Sequence, residues 1–132
     1  MNISPKEFRK KLLNKERLPS GLVVNGGLYL ERCKSLTHLP SGLVVEGNLN
    51  LNGCTSLTHL PSGLVVNGDL WLRSCTSLPH LPTGLVVKNT IYCDNYLIDK
   101  IPEEDLPLYI NFKFEEKIYE YFTRRIQKEN IS

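Results

Sequence analysis

No stretch of this 132-residue sequence approaches the roughly 18 consecutive apolar residues that a membrane span requires. The opening segment, MNISPKEFRKKLLNKERLPSG, is charged throughout and lacks the apolar centre of a secretion signal, so the expected compartment is cytoplasmic. A phosphate-binding Walker loop, an HExxH zinc motif, a CxxC pair and a nucleophile elbow are also missing, which removes the usual sequence signatures of nucleotide hydrolysis, zinc proteolysis, thiol redox and serine hydrolysis. Neither sign of charge dominates: 16 Lys/Arg against 14 Asp/Glu leave +2, and 41% hydrophobic with 23% charged residues suits one folded domain rather than a disordered chain.

That small net charge hides a gradient. Residues 1–17 hold six basic and two acidic side chains (+4), residues 18–112 five and eight (−3), and residues 113–132 five and four (+1). The basic excess at the start reads first as the solvated face of a helix, with contact to an acidic partner or nucleic acid as the alternative.

What the sequence has in abundance is itself. LPSGLVVNGGLYLERCKSLTH from Leu18, LPSGLVVEGNLNLNGCTSLTH from Leu39, LPSGLVVNGDLWLRSCTSLPH from Leu60 and LPTGLVVKNTIYCDNYLIDK from Leu81 repeat with a 21-residue period. The fourth copy is one residue short and the following IPEEDL segment one residue long. The shifts cancel, and FKF at 112–114 falls 21 residues after IYC at 91–93 as a degenerate fifth rung.

Asn67-Gly68 within VVNGDL is by itself a strong hairpin signal, because both central residues of a type I′ turn need positive φ. The repeats argue otherwise. The first turn position is Asn25, Glu46, Asn67 and Lys88, whereas the second is Gly26, Gly47, Gly68 and Asn89. Only the second column is made of residues that tolerate the left-handed region, so the expectation is one left-handed corner per coil and no hairpin.

A 21-residue unit offers about seven apolar side chains, each worth roughly 1.5–3 kcal/mol when buried, against a conformational cost of about 1.5 kcal/mol for every ordered residue. One copy therefore cannot fold alone, and stacked copies need closed ends. Residues 1–17 supply a capping helix: Ser4 at the N-cap, Pro5 and Glu7 behind it, and Phe8, Leu12 and Leu13 to cover the first rung. Residues 115–132 supply another, with Ile118, Phe122, Arg125 and Ile126 on one side and acids preceding bases along it. Between them, residues 18–114 hold the repeats.

The pattern Leu49-x-Leu51-x-x-Cys54-x-x-Leu57-Thr58-x-Leu60-Pro61-x-Gly63-Leu64 resembles a leucine-rich repeat, and is similar to the short Leu-Pro-rich repeats of bacterial effectors and of small bacterial and phage proteins. The resemblance implies a parallel β coil of about five rungs, with a sheet on one face and extended or turn structure without α-helix on the other. Val66 departs from it, standing four residues before Leu70 where the family has Leu three before. GLVV also suits a second strand per coil, so the alternative architecture is a multi-sided β-solenoid.

Stacking turns each repeat position into a column, with rungs about 4.8 Å apart. The outward residue between the two inward apolar positions of each strand reads Tyr29, Asn50, Trp71, Tyr92 and Lys113. Three large aromatics among polar neighbours such as Asp69, Arg73 and Asp94 suit a protein-binding face, while rings that merely suit strands, or that stack on sugars, are the competing readings. Arg73 and Asp94 are expected to form a surface ion pair. His38, His59 and His80 form a second column. The outer two lie about 10 Å apart, too far for one tetrahedral ion, so no metal or cofactor is expected. Cys33, Cys54 and Cys75 form a third column and Cys93 replaces an inward Leu. Adjacent rungs are within disulfide range, but free structural thiols fit the expected compartment, and the leucine-rich-repeat resemblance implies that this column is buried where the chain leaves the strand.

Columns of like residues do not bring different groups to one point, which argues against an enzyme. The expected function is non-catalytic recognition of a protein partner of unspecified identity. The resemblance adds that a phage- or pathogen-encoded member would inhibit a host protein by occlusion. A carbohydrate- or nucleic-acid-binding solenoid is the second reading, a small hydrolase or lyase the third, and a homodimer through the aromatics stays open.

Overall fold

The computed structural model describes residues 1–131; Ser132, at the end of the expected C-terminal cap, lies outside the described residues. The chain begins with a two-residue strand, Asn2–Ile3 (β1), and a helix, Pro5–Leu13 (α1). Each repeat then makes one coil carrying two short strands. The first strand of each coil is Val23–Val24 (β2), Val44–Val45 (β4), Val65–Val66 (β6) or Val86–Val87 (β8); the second is Leu28–Tyr29 (β3), Leu49–Asn50 (β5), Leu70–Trp71 (β7) or Ile91–Tyr92 (β9). The helices Asn95–Asp99 (α2) and Glu116–Ile131 (α3) follow, separated by a 3₁₀ helix at Glu103–Tyr109.

Two parallel sheets result, ordered β1-β2-β4-β6-β8 and β3-β5-β7-β9, and every repeat strand pairs with the residue 21 positions on, as Val44 with Val65 and Leu49 with Leu70. The molecule is a parallel β-solenoid of four coils with helical caps. The GLVV segment does build a second strand, so both faces of the coil carry sheet. Because Val24 and Leu28 belong to different sheets, the Asn-Gly dipeptide between them turns a corner and makes no hairpin.

The β-branched Val-Val pair suits the pleat, and its second member, Val24, Val45 or Val66, is wholly buried. Leu28, Leu49, Leu70 and Ile91 with Leu30, Leu51, Leu72 and Cys93 enter the same interior from the opposite sheet, leaving the residue between them outside, as strand alternation requires. One continuous apolar core runs from Phe8 under α1 to Phe122 under α3.

The expected left-handed column is corrected by the structure. Gly26 has φ +142°, but Gly47 and Gly68 do not lie in the positive region. Glycine is needed there because the rungs touch: a Cβ on Gly47 would lie 2.6 Å from the Gly27 nitrogen, and one on Gly68 would lie 2.3 Å from Asn48 Oδ1. The left-handed corners fall elsewhere, at Gly21, Gly42 and Gly63 (φ +75°, +68° and +73°) and at Arg32, Gly53 and Ser74 (φ +58°, +75° and +61°).

The N-terminal cap is a strand followed by a helix. The nitrogens of Val23 and Asn25 donate to the carbonyls of Met1 and Ile3, so β1 extends the first sheet, and α1 starts where Ser4 Oγ accepts from the Glu7 nitrogen. Phe8 is fully buried beneath α1 and Leu12 packs beside it. Leu13, the last residue of α1 and expected in the cover, is 51% exposed instead.

At the other end the repeat breaks down. The series of nitrogens that extend the first sheet runs Val44, Val65, Val86 and would next reach residue 107, which is Pro107 and has no N–H to give. The segment forms the 3₁₀ helix instead, and α2 likewise departs from the helix-free coil that the resemblance implies. The fifth rung is reduced to a single bridge, between Ile91 and Phe114. Expected register would pair Ile91 with residue 112. The observed shift of two residues keeps Phe114 pointing inward, but it takes Lys113 out of the outward column and puts Glu115 there.

Candidate functional site

The outward face of the second sheet carries the aromatics. Trp71 and Tyr92, on adjacent rungs of β7 and β9, are half-buried and stacked, with ring centroids 3.8 Å apart and planes within 8°. Parallel register brings the two side chains together, because identical positions on neighbouring strands lie directly above one another. Tyr29 stands apart on β3, half exposed, its ring beside the backbone of Gly27. Asn50 separates it from Trp71 and uses its Oδ1 to accept from the Asn52 nitrogen. The expected ladder is thus one stacked pair with an isolated ring two rungs away.

The polar columns beside it are held by the scaffold. Asn48 Oδ1 accepts from the Asp69 nitrogen at 2.8 Å, and Asp69 Oδ1 accepts from the Thr90 nitrogen at 3.0 Å, so each rung's side chain holds the next rung's backbone. On the far side Asn52 Oδ1 accepts from the Arg73 nitrogen, and Asp94 Oδ2 from the Ser74 nitrogen. Arg73 therefore does not pair with Asp94. Its guanidinium donates to Glu115 Oε1 at 3.0 Å, reaching across the fourth coil to the start of α3. Lys113 Nζ turns back to the Lys88 carbonyl.

Arg73 and Glu115 also border an open groove of about 470 Å³ whose other walls include Asn95, Lys117, Tyr121 and Arg124. Tyr121 donates to Asp99 Oδ1, and that carboxylate raises the phenol pKa. Sequence reasoning missed Glu115 as the rung neighbour of Tyr92, and missed this groove. FKF presents an apolar side chain inward in either register, so its parity holds no record of the two-residue shift; the only hint was that a helix begins directly after it.

The other columns are structural in their contacts. Cys54 and Cys75 donate to the carbonyls of Leu30 and Leu51, each one coil back, and all four cysteines are free. Burial raises the Cys54 thiol pKa and pushes those of Cys75 and Cys93 up to about 12. Tyr96 donates to the Cys75 carbonyl, and burial pushes its phenol up to about 12 as well. His38, His59 and His80 are exposed; the first two rings stack at 6.1 Å, each with Nδ1 bonded to the preceding Thr hydroxyl. Among the described residues no group of three or more His, Cys, Asp or Glu side chains is placed to hold a metal ion, and no helix is long and apolar enough to cross a membrane.

Compared with protein-family models, curated proteins and solved structures, the chain gives no match. Its functional reading rests on the geometry of this face.

Proposed function

We propose that the protein is a non-catalytic recognition module that binds a protein partner through the outward face of its second sheet. The Trp71–Tyr92 stack is the centre of the contact, with Tyr29 at one end and the Arg73–Glu115 pair and its groove at the other. The observation that carries this reading is the stack itself: two large rings left only partly covered on the outward face of a coil whose inward Leu columns are buried. Aromatics held by a rigid scaffold bring contact area at little entropic cost, and a charged rim around them supplies orientation. Asp69 and Asp94 act behind this face by holding backbone nitrogens, Asn50 fills the rung between Tyr29 and Trp71, and Lys113 turns back to the Lys88 carbonyl beside it.

The stack also bears on sugar binding. Rings lying 3.8 Å face to face cover each other's inner faces and turn edges outward, whereas a sugar needs an open ring face. Partner capture from a lysate by the wild type and by the Trp71→Ala, Tyr92→Ala variant, checked as folded by circular dichroism, tests the proposal. Stoichiometric capture of one protein by the wild type alone supports it; equal capture by both overturns the assignment of this face.

A further inference from the structure

Solenoids have two different ends, and in this chain both the apolar and the charged surface gather there. Among the described residues, five of the seven large exposed hydrophobics are terminal in the stack. Met1 (83% exposed) and Leu13 (51%) flank the first coil, and Val86 (48%), Leu108 (58%) and Ile110 (58%) lie on the last strand of the first sheet and the 3₁₀ segment that replaces its continuation. Charge divides the same way. Residues 1–17 carry +4, through Lys6, Arg9, Lys10, Lys11, Lys15 and Arg17 against Glu7 and Glu16. Residues 99–105 carry −3, through Asp99, Glu103, Glu104 and Asp105 against Lys100, and three of these four acids are exposed; with the +1 of residues 113–132, whose helix α3 packs on the same end, residues 99–132 carry −2.

We propose that the acidic, apolar C-terminal end of one molecule docks on the basic, apolar N-terminal end of a second copy, so that the chain associates with itself head to tail. The occupant follows from complementarity: each end has an apolar centre, and each presents the charge the other lacks. Two copies of the same end would instead set like charges against each other, which disfavours a two-fold dimer. The strands of the first sheet all run parallel from β1 to β8, so a copy translated along the axis meets the last coil in the same orientation. A contact between unlike ends leaves one free end of each kind, and association continues until concentration limits it. This interface is separate from the aromatic face and stands or falls independently of the recognition proposed there.

Sedimentation velocity of the full chain, from micromolar to millimolar concentration and at low and high salt, gives the first reading. The expected result is a concentration-dependent series of species that weakens with salt, because exposed charges are screened beyond about 8–10 Å at physiological ionic strength. Two variants then separate the ends: Lys6→Glu with Lys10→Glu, and Glu103→Lys with Glu104→Lys, each checked by its thermal melt. Each alone is expected to associate at least about tenfold more weakly than wild type. Their mixture is expected to give a 1:1 dimer and nothing larger, since the unaltered acidic end of the first variant meets the unaltered basic end of the second, while the two altered ends, one left near zero charge and the other positive, no longer attract. Leu108→Ser, which leaves the charges intact, is expected to weaken association as well. A wild type that stays monomeric throughout, a dimer that survives in the Lys6→Glu, Lys10→Glu variant, or a mixture that fails to pair while the wild type associates would each overturn the proposal.

Discussion

Trp71 lies flat on Tyr92, and the two rings stand on adjacent strands at paired positions. Stacked aromatic pairs contribute about 0.5–1.5 kcal/mol beyond the area they bury. A double-mutant cycle of Trp71→Ala and Tyr92→Ala, followed by urea unfolding, should return a coupling energy of that size. As Trp71 is the single tryptophan, Tyr92→Ala should also alter its emission without unfolding the chain. Additive losses would mean that the rings stack without supporting each other.

Gly68 and Gly84 make opposite predictions. A Cβ at residue 68 would meet Asn48 Oδ1 at 2.3 Å and the Gly47 carbonyl carbon at 2.8 Å, and Asn48 cannot retreat without giving up the Asp69 nitrogen. Gly68→Ala should destabilise by about 1–3 kcal/mol, the usual range for overpacking. Gly84 has open space around its Cβ position and no left-handed φ. Gly84→Ala should therefore be neutral or stabilise by up to about 1 kcal/mol through the unfolded chain. Thermal melts of the two variants should move in opposite directions or leave the second unmoved.

The period made the architecture legible: a 21-residue repeat fixes parallel stacking, the inward Leu columns and the outward Trp71 and Tyr92 without any knowledge of coordinates. The glycine column was visible too, but its cause was not. A preference for Gly records either positive φ or close approach, and only the distance from Gly68 to Asn48 tells them apart. The final rung was the least legible. Where the chain stops repeating, hydrophobic parity survives a slip of two residues, so nothing in FKF distinguishes Lys113 from Glu115 as the neighbour of Tyr92. Pro107 was the readable mark, since it falls where the first sheet needs its next N–H.

Ser74 occupies the left-handed region at φ +61°, where the equivalent residue of the previous coil is Gly53. Left-handed backbone costs a residue with a Cβ roughly 1–2 kcal/mol, and glycine costs about 0.5–1 kcal/mol in unfolded-state freedom. Ser74→Gly keeps the nitrogen that donates to Asp94 Oδ2. It should stabilise by up to about 1.5 kcal/mol, the difference of the two terms, read as a higher urea midpoint with unchanged slope. Asp94→Ala, which strips that nitrogen of its acceptor, should shift the midpoint the other way by about 1–2 kcal/mol.

The buried thiols tie stability to alkaline pH. Burial lifts Cys75 and Cys93 from 9.0 to about 12, so the folded chain keeps protons that the unfolded chain releases. Stability depends on pH through that difference in bound protons, and here the native state binds more. The contribution of these groups is complete below about pH 9, falls as pH rises above it, and is gone beyond the folded value near 12. Tyr96, lifted from 10.0 to about 12, adds a loss of the same sign at the upper end of the window. Urea midpoints taken at increasing pH should hold level to about 9 and then decline, and Cys75→Ser should flatten the slope while lowering the starting stability. Alkylation gives an independent check: at mild pH the half-exposed Cys33 should react in the native chain while Cys54, Cys75 and Cys93 react only after unfolding. Rapid labelling of Cys75 under native conditions, or a midpoint that rises above pH 9, would contradict this account of the column.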